Sequence, residues 1–178
     1  WNDYQDLEKK WQAFNRVYTV IYLPEQESTV KLILGDSWEA DSKRVAALET
    51  AKKETENTPE NVYAWFNLGS NYVYFEEYES ASVAYDQARN LGWPQRMLRY
   101  QFGPFLAYFH SLRTDDLKVL TDYALDRTPN SEEALLWHGW SLYRDGNSVE
   151  AIKNFEAALI AHPDYLDAQY AINFVLAN

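Results

Sequence analysis

The sequence predicts an all-α fold: a superhelix of antiparallel helix pairs, preceded by one helix and one orphan β-strand. Three observations carry this reading. Prolines stand at 59, 94, 129 and 163, at intervals of 35, 35 and 34 residues. Between two of them, Trp65, Leu68 and Tyr72 fall at i, i+3 and i+7, so they share one helical face. Small residues recur in the same frame: Gly69 and Ala81 return as Gly139 and Ala151, and Ala88 returns as Ala124 and Ala158. Bulky residues opposite small ones are what a close helical hairpin needs. A single hairpin cannot bury its apolar face alone, so the period must repeat.

The clearest copy is residues 62–94, VYAWFNLGSNYVYFEEYESASVAYDQARNLGWP. It reads Trp65, Leu68-Gly69 and Tyr72, then Ala81, Tyr85, Ala88 and Pro94. This resembles the tetratricopeptide repeat, whose signature is W-x₂-L-G-x₂-Y…A-x₃-F…P on a period of 34. Only Tyr85 departs, where the family prefers Phe. Residues 132–163 form a second copy, with Gly139, Ala151 and Phe155 in register and Gly146-Asn147 as the turn. There Leu135 holds the place of the signature Trp, and His138 that of the signature Leu. The resemblance implies a repeat superhelix and leaves the ligand open.

From the start of the chain, residues 1–15 read as a helix, with Tyr4, Leu7, Trp11 and Phe14 on one stripe. Residues 17–23, VYTVIYL, carry a β signal closed by Pro24, and no second strand candidate exists to pair with them. The stretch ending FNRVYTVIYLPEQE looks like the closing element of the papain-like cysteine peptidase domain of bacterial double-glycine-leader peptidases. Some members of that family carry tetratricopeptide repeats next. Residues 1–24 are therefore expected to be the remnant of an upstream domain. The catalytic Cys and His that the resemblance implies would lie upstream.

Residues 25–34 read as a short helix stopped by Gly35, and 42–57 as a longer one capped by Asp41 or Ser42. Together 25–58 make a degenerate first repeat, and 59–163 hold three tetratricopeptide repeats. In the middle one, Gly103-Pro104 interrupts the first helix, which predicts a kink or a fresh start at Pro104. The second helix, 115–127, keeps Leu117 and Ala124 in register. Residues 164–178 supply a capping helix.

Net charge is −11, from 16 basic and 27 acidic residues. That argues against nonspecific binding to nucleic acid or to an anionic membrane surface, both of which need a basic face. No apolar run reaches the 18 residues of a membrane span. The chain has no Cys, hence no thiol nucleophile, disulfide or thiolate metal site. It opens at Trp1 rather than Met, so upstream segments are expected. Nothing fixes a compartment.

The first helices of stacked repeats line a concave surface. Residues off their core stripe are Tyr63, Phe66 and Tyr74, then Arg99, Phe102, Phe109 and His110, then Trp137, Trp140, Tyr143 and Arg144. Tyr170 and Phe174 extend the row. Aromatics and Arg dominate binding hot spots. The row either grips a ligand or packs between repeats. Relatives that grip a C-terminal carboxylate use Lys, Asn and Arg here; the matching positions hold Phe66, Ser70, Gly103, Glu133 and Trp137, so that clamp is absent.

His110, His138 and His162 lack metal-ligand spacing, and His138 reads as an interior histidine. The pairs Glu76-Glu77, Asp115-Asp116 and Glu132-Glu133 are sequence neighbours that diverge on a helix and cannot clasp one bond. The expected function is a non-catalytic scaffold, without cofactor, that binds a protein or peptide segment or docks its own upstream domain. The alternative is the regulatory or substrate-docking end of a cysteine peptidase.

Overall fold

The computed structural model describes residues 3–178. The chain divides into two compact units, Trp1–Trp93 and Pro94–Asn178.

The first unit opens with α1 (Tyr4–Gln12) and an extended segment. A 3₁₀ turn at Pro24–Gln26, α2 (Glu27–Leu34) and a second 3₁₀ turn at Gly35–Trp38 lead into α3 (Ala40–Asn57). The unit closes with the hairpin α4 (Val62–Tyr74) and α5 (Tyr78–Asn90). The α2 helix stops where Gly35 takes φ 53°, a conformation that a Cβ disfavours. Glu39, not Asp41 or Ser42, occupies the cap position of α3, and its side chain makes no capping bond. By contrast α4 is capped by Asn61, whose side chain accepts from the backbone amides of Tyr63 and Ala64.

The expected β-strand is not formed. Among the described residues there is no strand, and residues 17–23 run as extended chain without a ladder. β-branched and aromatic content favours a pleated surface only where a neighbouring strand takes the amides and carbonyls. None does so here, and Ile21 is 93% exposed. The fold is all-helical, without the orphan strand.

Packing in this unit uses two sides of α4. Trp65, Leu68, Tyr72 and Phe75 pack towards Leu48 and Ala51 of α3, with Ala84 of α5. The adjoining side faces α5, where Phe66 meets Tyr85 edge-on at 5.1 Å and Trp93 at 5.0 Å. Gly69 makes the approach possible: a Cβ there would stand 2.8 Å from the Tyr85 ring.

The second unit starts with a 3₁₀ turn at Gln95–Arg99, then α6 (Gly103–His110) and α7 (Thr114–Arg127). It ends with α8 (Glu132–Arg144), α9 (Ser148–Ala161) and α10 (Leu166–Ala177). Pro104 begins a fresh helix rather than kinking a continuous one, since the first turn of a helix needs no amide hydrogen from it. Ser131 caps α8 and Asn147 caps α9 through their side-chain oxygens. Gly146, at φ 80°, makes the tight turn between them. Phe155, Ala151 and Ala158 of α9 interlock with Leu135 and Leu136 of α8 and with Ala168, Ala171 and Val175 of α10. His138 lies half-buried with its Nδ1 3.1 Å from Thr121 Oγ1. Burial lowers its pKa, with Asp122 opposing.

Candidate functional site

In the second unit, α6, α8 and α10 bring rings together along one face. Phe109 of α6 meets Trp137 at 5.4 Å and Trp140 at 6.1 Å, both from α8. Trp140 continues to Tyr143 at 5.9 Å and to Phe174 of α10 at 5.7 Å. Tyr170 closes the row against Phe174 at 6.1 Å. The centroid separations and tilts are those of mutually attractive aromatic pairs. Helical geometry explains the row: Trp137, Trp140 and Arg144 follow one another at i+3 and i+7, and Tyr170 and Phe174 at i+4.

Arg144 lies across this row. Its guanidinium sits 3.7 Å from the Phe109 ring centre and donates to the Phe109 carbonyl. A guanidinium held on a ring face keeps further donors for a ligand carbonyl or carboxylate. At the far edge, Trp137 Nε1 donates to Glu133 Oε2 at 3.1 Å. Burial raises the Glu133 carboxyl above the ordinary carboxylate range, while the Trp137 donor pulls the other way. Burial and the same carboxylate push the Tyr165 phenol up in turn.

The predicted row divides by depth. Tyr170 is 64% exposed and Phe174 37%, whereas Phe109, Trp137, Trp140 and Tyr143 are half-buried. Trp140 also touches the core ring of Phe155 at 5.2 Å, so its inner edge belongs to the core. His110 is exposed and stands edge-on to Phe109. Phe102 precedes α6 and stacks on Phe105, outside the ring network. Arg99 is not beside Arg144's rings; it lies in the 3₁₀ turn and lines a surface hollow with Arg96, Arg127 and Ser131.

The remaining candidates belong to the first unit. Phe66, expected on the surface, is fully buried between Tyr85 and Trp93. Tyr63 is half-buried on α4. Tyr74 turns to α3, donating to Asp41 at 3.1 Å with Arg44 over its ring.

Two residues that sequence reasoning passes over are Asn67 and Asn71, both buried in α4 and both bonded to the N-terminal segment. Their signal is two amides at i, i+4 inside an otherwise apolar helix. Among the described residues no group of three or more His, Asp or Glu side chains could hold a metal ion. None of their helices is long and apolar enough to cross a membrane.

The fold is all-helical, built of packed helix pairs like those of tetratricopeptide repeat structures. Among solved structures it is similar to YrrB, a tetratricopeptide repeat protein with an unusual peptide-binding site. The TM-score is 0.64 at 22% identity, over 78% of this chain and 70% of that one. Likeness at that identity speaks for the fold. No family model and no curated protein matches the sequence. The peptidase resemblance of residues 1–25 thus gains no support, and the strand that carried it is not formed.

Proposed function

We propose that the chain is a non-catalytic scaffold that binds an extended peptide segment across the face of α6, α8 and α10. The observation that carries this reading is the unbroken ring network from Phe109 to Tyr170, with the Arg144 guanidinium laid on it. The half-buried rings present apolar edges, and Arg144 offers donors to backbone carbonyls. That alternation of apolar and polar partners suits an extended strand better than a helix, which has already used its own carbonyls. YrrB, of similar fold, has a peptide-binding site. The segment bound comes from a separate protein or from another part of the same polypeptide.

The test uses the double change Arg144→Ala with Tyr170→Ala. Both side chains are exposed, so the melt should hold while affinity for peptides selected from a random library falls at least ten-fold. Unchanged affinity with an unchanged melt would move the ligand elsewhere. Trp140 is a poorer probe, because its contact with Phe155 mixes binding with core packing.

A further inference from the structure

The N-terminal segment is attached to the first unit by polar contacts rather than by a core. No residue of α1 is buried. Asn67 Nδ2 donates to the Gln12 carbonyl at 2.8 Å, and Asn15 Nδ2 donates to Asn71 Oδ1 at 3.1 Å. Glu54 of α3 receives Gln12 Nε2 at 3.2 Å and Arg16 at 2.6 Å. Trp11 Nε1 reaches the Val17 carbonyl at 2.9 Å and closes the turn.

Three features set this contact apart from ordinary core packing. First, Asn67 is 1% exposed, yet its Oδ1 has no partner, so the site carries an acceptor that residues 12–16 leave unused. A buried polar atom left so is costly and rare in an ordinary interior. Second, Asn15 and Arg16 both take φ 51°, a conformation that non-glycine residues keep only where surrounding contacts hold it. Third, a cavity of about 350 Å³ remains between residues 15–18 and α3. That space opens to the surface beside Lys43 and Arg44, so the segment does not seal against α3 as a core element would.

We propose that the α3–α4 face around Asn67, Asn71 and Glu54 is a binding site for a peptide turn, occupied here by the chain's own residues 12–16. The class of ligand follows from the partners. It presents a free backbone carbonyl to Asn67, a carboxamide donor to Asn71 and a guanidinium to Glu54, with an amide hydrogen to spare for Asn67 Oδ1. Each such hydrogen bond contributes only modestly to net stability, because water competes for the same groups. A turn of the same chemistry from another polypeptide can therefore displace the resident one. This site is separate from the aromatic face and stands or falls independently of it.

The probe is a labelled synthetic peptide with the sequence of residues 11–18, added to the full chain. In the wild type the tethered copy competes at high effective concentration, so the probe binds weakly. The double change Asn15→Ala with Arg16→Ala disables the resident copy and leaves the face intact. It should tighten probe binding at least ten-fold. It should also accelerate amide exchange of residues 12–17 while α4 and α5 stay protected.

Adding Asn67→Ala should abolish probe binding. Should that variant unfold, Glu54→Gln gives a second reading: it should erase the preference for the probe over the same peptide with alanine replacing its arginine. Binding to neither protein, equal binding to both, or a preference indifferent to Glu54 would make residues 12–16 a fixed part of the fold and end the proposal.

Discussion

At Gly139 a hydrogen atom is all the space allows. A Cβ there would lie 2.4 Å from Phe155 Cε1 and 2.7 Å from Cδ1, where a buried ring has little freedom to retreat. Alanine in a helix normally gains about 1 kcal/mol over glycine, but overpacking a core costs about 1–3 kcal/mol, occasionally more. Repulsion wins at this separation, so Gly139→Ala should lower the denaturant midpoint. Gly69→Ala, at 2.8 Å from Tyr85, should lower it less. A midpoint at or above wild type would mean the Phe155 ring moves freely.

Glu133 supplies a pH-dependent counterpart. Its pKa is raised, chiefly by burial, so in the window above the ordinary carboxylate value the native state holds a proton that the unfolded chain has released. Stability then falls as pH rises through that window. Glu133→Gln keeps an acceptor for Trp137 Nε1 and removes the charge. The variant should melt higher than wild type at pH 7, with the difference closing as pH drops below the raised pKa. A difference that does not change with pH would take the charge of Glu133 out of the account.

The element-scale question is what joins one hairpin to the next. Trp65 is half-buried; it packs α4 on α3, and its Nε1 donates to the Pro59 carbonyl at 2.8 Å. Truncating a fully buried aromatic costs about 3–5 kcal/mol; for Trp65→Ala about 2–3 kcal/mol is the expected loss, read as a fall in melting temperature. A shift of a degree or two would show that α3 holds α4 without it.

The same two-sided packing explains what the sequence discloses and what it hides. Spacing reveals the hairpins, because Gly69 under Tyr85 and Gly139 under Phe155 are complementary in size. Phe66 falls on the wrong side when the single stripe from Trp65 to Tyr72 stands for the whole buried face. A repeat's first helix is packed on two sides, and Phe66 lies on the second. Residues 17–23 show strand propensity, but a strand is a property of a pair, and propensity says nothing of the partner. Arg99 joins the row only if the helix runs unbroken through Gly103-Pro104; the chain breaks there and leaves Arg99 in a 3₁₀ turn, away from the rings. Asn67 and Asn71 escape notice because amides in an apolar helix acquire meaning only from the segment that meets them.

On the scale of the whole chain, charge sets a condition on both stability and partners. The excess of 11 negative charges repels itself more when folded than when unfolded. Two unit charges about 20 Å apart in water interact by roughly 0.2 kcal/mol. Some fifty such pairs, roughly, amount to about 10 kcal/mol before salt screens them, part of which the unfolded chain also bears. At about 0.15 M salt the screening length is about 8 Å and little of this survives.

Salt also weakens the ion pairs, among them Lys10–Asp6, Lys31–Glu27, Lys52–Glu49 and Lys153–Glu150. These are exposed pairs within single helices, and water and side-chain entropy leave each of them little net contribution. Repulsion among the excess charges outweighs them, so melting temperature should rise between about 10 mM and 150 mM sodium chloride and then level off. A fall over that range would mean that the ion pairs, and not the excess charge, govern stability. The same field favours basic peptides in the approach to the chain, and their association rates should drop over the same range of salt.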